Sequence, residues 1–186
     1  MSAQASGVSR VAIETSQGTF VLAVHPEWAP LGAARFLELV ESAYYDDARF
    51  HRVVPGFIVQ WGLAGDPALT ARWQHAYIED DPVVSSNTRG RIAYAFTQPG
   101  TRATQIYINL ADNVRLDSAG FAPFGEVIEG MDVVDRLYSG YGETSGGGLR
   151  RGDQRRIVAE GNAYLDREFP SLDRLISAEI LQPPRD

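Results

Sequence analysis

Residues 50–62 read FHRVVPGFIVQWG. Two short runs of β-branched and aromatic residues, 50–54 and 57–60, flank Pro55-Gly56, a pair that marks a turn, so the stretch predicts a β-hairpin. It sets one permanent cation, Arg52, among Phe50, Val53, Val54, Phe57 and Ile58, and adds an amide donor and acceptor at Gln60. Taken alone, this is also what a surface hairpin looks like when its arginine simply reaches solvent. Strict strand alternation would send Phe57 and Ile58 to opposite faces.

Upstream, Val11, Ile13 and Thr15 alternate with Ala12 and Glu14, residues 16–18 make a turn, and 19–24 continue as a second strand. Pro30 sits where a first helical turn tolerates proline, and Leu31, Ala34 and Leu37, with Phe36 and Val40, follow at helical spacing. This helix is expected to end near Ser42. Downstream, 62–89 is polar, with Pro67, Pro82 and Ser85-Ser86-Asn87-Thr88, and reads as a long excursion. Strands are expected at 91–96, 105–110 and 124–128. Gly130 leads into a second helix marked by Met131, Val134, Leu137 and Tyr138, and the glycine-rich stretch 138–152 reads as a mobile loop. A helical turn around Tyr164, Leu165 and Phe169 precedes a last strand at 176–181. Strands outnumber helices, which fits a closed β-barrel capped by helices.

The 186 residues suit one domain, 44% apolar and 22% charged, and 18 glycines with 10 prolines favour a turn-rich β architecture. We place the domain at 10–182, between flexible tails at 1–9 and 183–186. A net charge of −7 offers no cationic footprint, so nucleic acid is not expected as a partner. Without cysteine there is no disulfide, thiol nucleophile or thiolate metal site. No apolar run approaches the ~20 residues that span a bilayer, so no membrane partner is expected. The opening MSAQASGVSR has neither a basic nor an apolar leader region, which predicts a cytoplasmic protein. Export to the periplasm or beyond stays open should the natural chain begin further upstream.

Other chemistries find little footing. The histidines at 25, 51 and 75 lie in separate segments without metal-binding spacing. No GxSxG elbow presents a serine nucleophile. Gly146-Gly147-Gly148 lacks the Lys-Ser/Thr of a phosphate loop and reads as a flexible linker. Asp80-Asp81 before Pro82 reads as a solvated turn.

The order of three motifs is specific: FHRVVPGF followed by a glutamine-aromatic strand, then TQIYINL, then LDSAGFAPFGEVIEGMDVVDRL. In these motifs the chain resembles the cyclophilin family of peptidyl-prolyl cis-trans isomerases. The resemblance implies an eight-stranded antiparallel barrel closed by two helices, with a proline-binding groove on its outside. Arg52 matches the family's catalytic arginine and Gln60 its groove glutamine. Phe57 and Ile58 match pocket residues, Ala95 an alanine that contacts substrate backbone, Gln105 a second groove glutamine, Tyr107 a pocket aromatic that is usually phenylalanine, and Leu116 a pocket leucine. Because the family places Phe57 and Ile58 together, irregular backbone is expected after Pro55-Gly56.

Such a site suits the reaction. An X-Pro bond rotates over a barrier of ~18–20 kcal/mol. Nothing covalent changes, so no nucleophile, metal or cofactor is called for; complementarity to the twisted amide is what matters. An apolar pocket holds the proline ring, and a guanidinium donates to the prolyl nitrogen, whose lone pair localises on twisting. About 7 kcal/mol of such stabilisation corresponds to roughly 10⁵-fold.

Three positions depart from the family. Phe96 stands where many members carry asparagine, Arg115 where many carry tryptophan, and Phe121 is the nearest match to the pocket histidine, in a loop one residue longer. Since the tryptophan contributes to cyclosporin binding, weak cyclosporin binding is expected. The implied partners are proline-containing peptides or unfolded clients, and a monomer is expected. The alternative is a catalytically weak module that only captures proline-containing segments. An unrelated barrel with its ligand in the lumen is a third reading, which an interior filled by large side chains would exclude.

Overall fold

The computed structural model describes residues 7–145 and 154–182. Among them the chain runs β1 (Ser9–Thr15), β2 (Gly18–Val24), α1 (Pro30–Glu41), β3 (Arg52–Val54), β4 (Ile58–Trp61), α2 (Pro67–Trp73), β5 (Arg91–Tyr94), β6 (Ile106–Asn109), β7 (Gly125–Glu129), α3 (Met131–Asp135), α4 (Gln154–Glu160), α5 (Asn162–Glu168) and β8 (Leu175–Leu181). A single 3-10 turn, Val114–Leu116, lies between β6 and β7. The eight strands form one antiparallel sheet in the order β3-β4-β6-β5-β7-β2-β1-β8.

The sheet curls into a half-barrel rather than the closed barrel expected, because β3 and β8 are both edges. β3 has only three residues before the Pro55 turn, too short a strand to carry a ladder onto β8. The gap is spanned by the segments leading into each edge. Phe50 N–H donates to the Asp173 carbonyl at 3.1 Å, Leu175 N–H to the Ala48 carbonyl at 2.8 Å, and Arg49 bridges Arg174.

Period-two alternation turns one face of every strand into the concavity. Val11, Ile13, Phe20, Leu22, Val53, Val59, Trp61, Ile92, Tyr94, Ile106 and Ile108 all point there and are buried. Trp61 meets Phe50 edge-on at 5.3 Å and Phe20 at 6.5 Å, so bulky rings fill the interior. A ligand site in the lumen is excluded by that packing.

Helix α1 ends at Ser42 as the sequence suggests, but its buried stripe is Gly32, Ala33, Phe36, Leu39 and Val40. Leu31 and Ala34 of the expected stripe are exposed. Ala29 offers no capping side chain. Instead Asp81 accepts from the N–H groups of Leu31 at 3.0 Å and Gly32 at 2.8 Å. Asp81 is therefore buried, not a solvated turn, and it pairs with the guanidinium of buried Arg102 at 3.1 Å. Glycine at 32 permits this approach, since a Cβ there would lie 3.2 Å from both Arg102 Nη1 and the Tyr94 ring.

The helix count exceeds the two expected. The polar excursion contains α2, whose start is capped by the Asp66 carboxylate on Ala68 N–H at 2.8 Å with Pro67 in the first turn. α3 stops at Asp135, short of Leu137 and Tyr138. α4 and α5 form a small second core in which Leu63, Ile157, Tyr164 and Leu165 are buried. Of the stretch read as a mobile loop, 146–152, with the triple glycine, lies outside the described residues, as do 1–6 and 183–186 of the tails. The part before it is fastened, with Tyr138 N–H on Asp173 at 2.7 Å and Ser145 Oγ on the His51 carbonyl at 2.6 Å.

Candidate active site

Strand register builds the site. Arg52 lies opposite Gln60, Gln60 opposite Tyr107, and Tyr107 opposite Ala93, one rung across four strands. Their chain neighbours point into the core, so this rung faces outward. On that outer face Ile58, Ala93 and Tyr107 form a separate buried cluster, with Phe57, Ala95, Leu116 and Phe121 packed against it. Gly56 takes φ +69, which a β-carbon would disfavour, and the chain leaves strand geometry there. Phe57 consequently sits in the turn, its N–H on the Val54 carbonyl at 3.0 Å, and joins the same cluster as Ile58.

The Arg52 guanidinium lies at the rim of this apolar patch, its Cζ 5.7 Å from the centre of the Phe57 ring. Nη1 donates to Gln60 Oε1 at 3.0 Å and Nη2 to Glu143 Oε1 at 2.5 Å. The amides continue the row: Gln60 Nε2 donates to Gln105 Oε1 at 2.9 Å, and Gln105 Nε2 to Gln154 Oε1 at 3.0 Å. Beside the row runs a groove of about 450 Å³, bordered by Leu63, Ala95, Phe96, Thr97, Gln105 and Gln154. Arg52 and Phe57 do not line it, so the sequence-predicted residues divide between an apolar patch and an adjoining polar groove that meet at Ala95.

The three departures fall into place physically. Arg115, just outside the patch in the 3-10 turn, lays its guanidinium 4.9 Å from the Phe57 ring centre, so a flat cation occupies space an aromatic ring would fill. Phe96 and Phe121 stack on each other at 4.3 Å with planes 25° apart. The two substitutions are thus one wall of paired rings, and Tyr107 meets it edge-on at 6.0 Å. Burial pushes the Tyr107 phenol well above its ordinary range, Asp117 adding in the same direction, so it stays a neutral donor. Its hydroxyl donates to Asn87 Oδ1 at 2.8 Å, which is how a tyrosine fits where phenylalanine is usual.

Asn87 anchors the patch from beneath. It is fully buried, and its Nδ2 donates to Asp117 and to the Phe121 carbonyl, each at 2.8 Å. Asn109 donates to Asn87 Oδ1 at 3.2 Å, and Asn113 donates to the Phe57 carbonyl at 2.9 Å. Sequence reading missed these asparagines, Glu143 and Gln154; a run of Ser, Asn and Thr carries only a loop signal until its partners are known. Asn87→Ala strands the Tyr107 hydroxyl in an apolar surrounding and is expected to lower stability by about 2 kcal/mol in urea unfolding. An unchanged midpoint would remove the anchoring role.

Behind the rung, His51 is fully buried, and neither ring nitrogen has a hydrogen-bond partner among the described residues. Burial, with the neighbouring Arg52 charge, lowers its pKa from 6.5 to about 4, so it is neutral at pH 7.

Residues 10–158 match the family described as cyclophilin type peptidyl-prolyl cis-trans isomerase/CLD. The peptidyl-prolyl cis-trans isomerase A of Dickeya dadantii (strain 3937) is 38% identical over 135 residues, covering 69% of this chain and 70% of that protein. The isomerase B of Escherichia coli (strain K12) is 32% identical over 136 residues, 68% of this chain and 82% of that one. Among solved structures, a Cryptosporidium parvum cyclophilin type peptidyl-prolyl cis-trans isomerase superposes with a TM-score of 0.70 at 20% identity, over 96% of this chain and all of the other, which supports the fold. The same parasite protein, crystallised in the presence of the dipeptide Ala-Pro, gives 0.66 over 94% of this chain and 99% of that one. The outward rung, the arginine at the rim of an apolar patch and these similarities agree: the chain belongs to the cyclophilin-type peptidyl-prolyl cis-trans isomerases.

Proposed function

We propose that this isomerase holds a substrate proline against Phe57, Ile58, Tyr107, Leu116 and Phe121 and twists the preceding amide beneath the Arg52 guanidinium. The observation that carries this is the guanidinium itself, held by Gln60 at 3.0 Å with its carbon 5.7 Å from the Phe57 ring. In the planar amide the prolyl nitrogen shares its lone pair with the carbonyl and accepts weakly. At about 90° of twist the pair localises, and a donor already in place stabilises that state more than either planar one. Gln60 orients Arg52 and, with Gln105 and Ala95, receives the substrate backbone. Phe96 works through its stack on Phe121, shaping the side of the pocket that faces the residue before proline. No group changes oxidation or protonation state, so the chain's own residues suffice for every step.

Mapping amide shifts on titration with an Ala-Pro-containing peptide tests the binding half. Perturbations are expected at 57, 58, 60, 95, 105, 107, 116 and 121. A response confined to the α4–α5 face would overturn this placement.

Arg115 bears on inhibition. With a cation rather than tryptophan beside Phe57, cyclosporin is expected to inhibit weakly, and Arg115→Trp to strengthen inhibition at least tenfold. Nanomolar inhibition of the unaltered protein would contradict this reading of position 115.

A further inference from the structure

We infer that Glu143 is a positioning residue of the isomerase: its carboxylate fixes the plane of the Arg52 guanidinium so that the remaining N–H groups face the bound amide. The inference rests on the catalytic reading of Arg52.

A guanidinium held through one nitrogen pivots about that hydrogen bond; a second acceptor on the other terminal nitrogen stops the pivot. Arg52 has that arrangement, Nη1 on Gln60 at 3.0 Å and Nη2 on Glu143 at 2.5 Å, while its buried Nε carries no partner among the described residues. The two acceptors come from different parts of the chain, β4 and the turn after α3, so neither moves with the other. The pair is shielded, with side-chain exposures of 14% for Arg52 and 24% for Glu143, unlike the open surface pairs that contribute almost nothing.

Glu143 is itself held. Ser145, 1% exposed, donates its hydroxyl to the carbonyl of His51, the residue before Arg52. Thr144 N–H reaches the Tyr141 carbonyl at 2.9 Å, and the Tyr141 ring packs edge-on against Tyr138 and Phe169, each at 5.1 Å. The carboxylate is thus fastened to the same stretch of backbone as the arginine it orients. It also terminates a row in which Arg52, Gln60 and Gln105 each donate onward to Gln60, Gln105 and Gln154, so with Glu143 at its end the guanidinium becomes an interior member of the row, held from both sides.

If position matters more than charge, an isosteric neutral acceptor should serve and a shortened carboxylate should not. The test measures kcat and KM separately for isomerisation of an Ala-Pro-containing peptide by wild type, E143A, E143Q, E143D and R52A. E143A and E143D are expected to lose about tenfold in kcat with KM within twofold, below the 10² that a 1 Å misplacement can remove. E143Q is expected to stay within threefold of wild type. The side-chain nitrogen resonances of Arg52 supply an independent readout: distinct Nη signals in wild type and E143Q, averaged signals in E143A and E143D. Wild-type kcat in E143A overturns the inference, as does rescue by E143D but not by E143Q, which would assign the effect to charge. Should E143A fail to fold, E143Q and E143D decide the question by the same comparison. An active R52A would remove the catalytic reading of Arg52; an inactive R52A beside a fully active E143A would remove only the role given to Glu143.

Discussion

Arg52→Ala is expected to lower kcat/KM for an Xaa-Pro peptide by roughly a hundred- to a thousandfold while leaving the fold in place. The magnitude follows from what removal of a single preorganised donor to a developing charge costs elsewhere, 10² to 10³ in kcat. The side chain contributes little to the core, because it sits on the outward face and Val53 beside it supplies the packing. Its loss leaves Glu143 facing solvent, a tolerable change for a carboxylate already 24% exposed. Arg52→Lys is expected to recover little, since a single ammonium cannot reach Gln60, Glu143 and the prolyl nitrogen with the fork geometry a guanidinium has. Exchange spectroscopy of a proline peptide, with circular dichroism as the folding control, decides the matter. Activity of the alanine variant within threefold of wild type would falsify the assignment. The same assay separates an isomerase from a module that only captures proline.

The second large effect lies in acid stability. His51 has its folded pKa depressed to about 4 from an ordinary 6.5, so the folded state binds its proton later than the unfolded chain does. Its neutral form therefore supports the fold fully above pH 6.5, and that support is lost progressively as pH falls toward 4. A difference of about 2.5 units at 1.36 kcal/mol each gives about 3 kcal/mol across this window. Asp117 adds a slope of the same sign: burial raises its pKa, but hydrogen bonds from Ser86 and Asn87 outweigh it and hold the carboxyl low. Comparison with a variant isolates the histidine. In urea unfolding at pH 7, 5.5 and 4.5, His51→Gln is expected to show a shallower decline than wild type, whatever its stability at pH 7. Parallel declines would show that His51 takes its proton without penalty.

Both effects originate in the hairpin at 50–61, whose two strands were legible in the sequence. Alternation in 50–54 and 57–60 around Pro55-Gly56 gives the hairpin, and the departure at Gly56 that lets Phe57 join Ile58 follows from requiring both in one pocket. What alternation cannot supply is the identity of distant partners. Glu143 reaches Arg52 across 91 residues and Gln154 reaches Gln105 across 49, pairings that no local pattern encodes. Asp80-Asp81-Pro82 has the composition of a turn, and only distant partners, the Leu31 and Gly32 N–H groups and Arg102, 21 positions on, make Asp81 a buried residue. Helix α2 carried a readable signal, Asp66 before Pro67, which serves equally as a turn marker; a seven-residue helix is too short for its periodicity to settle the choice. The stripe of α1 was misplaced for a related reason: Leu31 and Ala34 are apolar, but the small residues Gly32, which meets Arg102 and Tyr94, and Ala33 are the ones buried. Closure of the barrel failed at β3, where a three-residue strand could not be told from a longer one.

The borrowed cap of α1 also imposes a timetable on synthesis. The acceptor for its opening N–H groups stands 49 and 50 positions downstream, and the cation that neutralises that acceptor another 21 beyond. A nascent chain halted before residue 81 therefore carries a helix frayed at its start, and one halted before 102 holds the acceptor without its counterion. The amino-terminal third of this molecule completes itself only when translation has passed the middle.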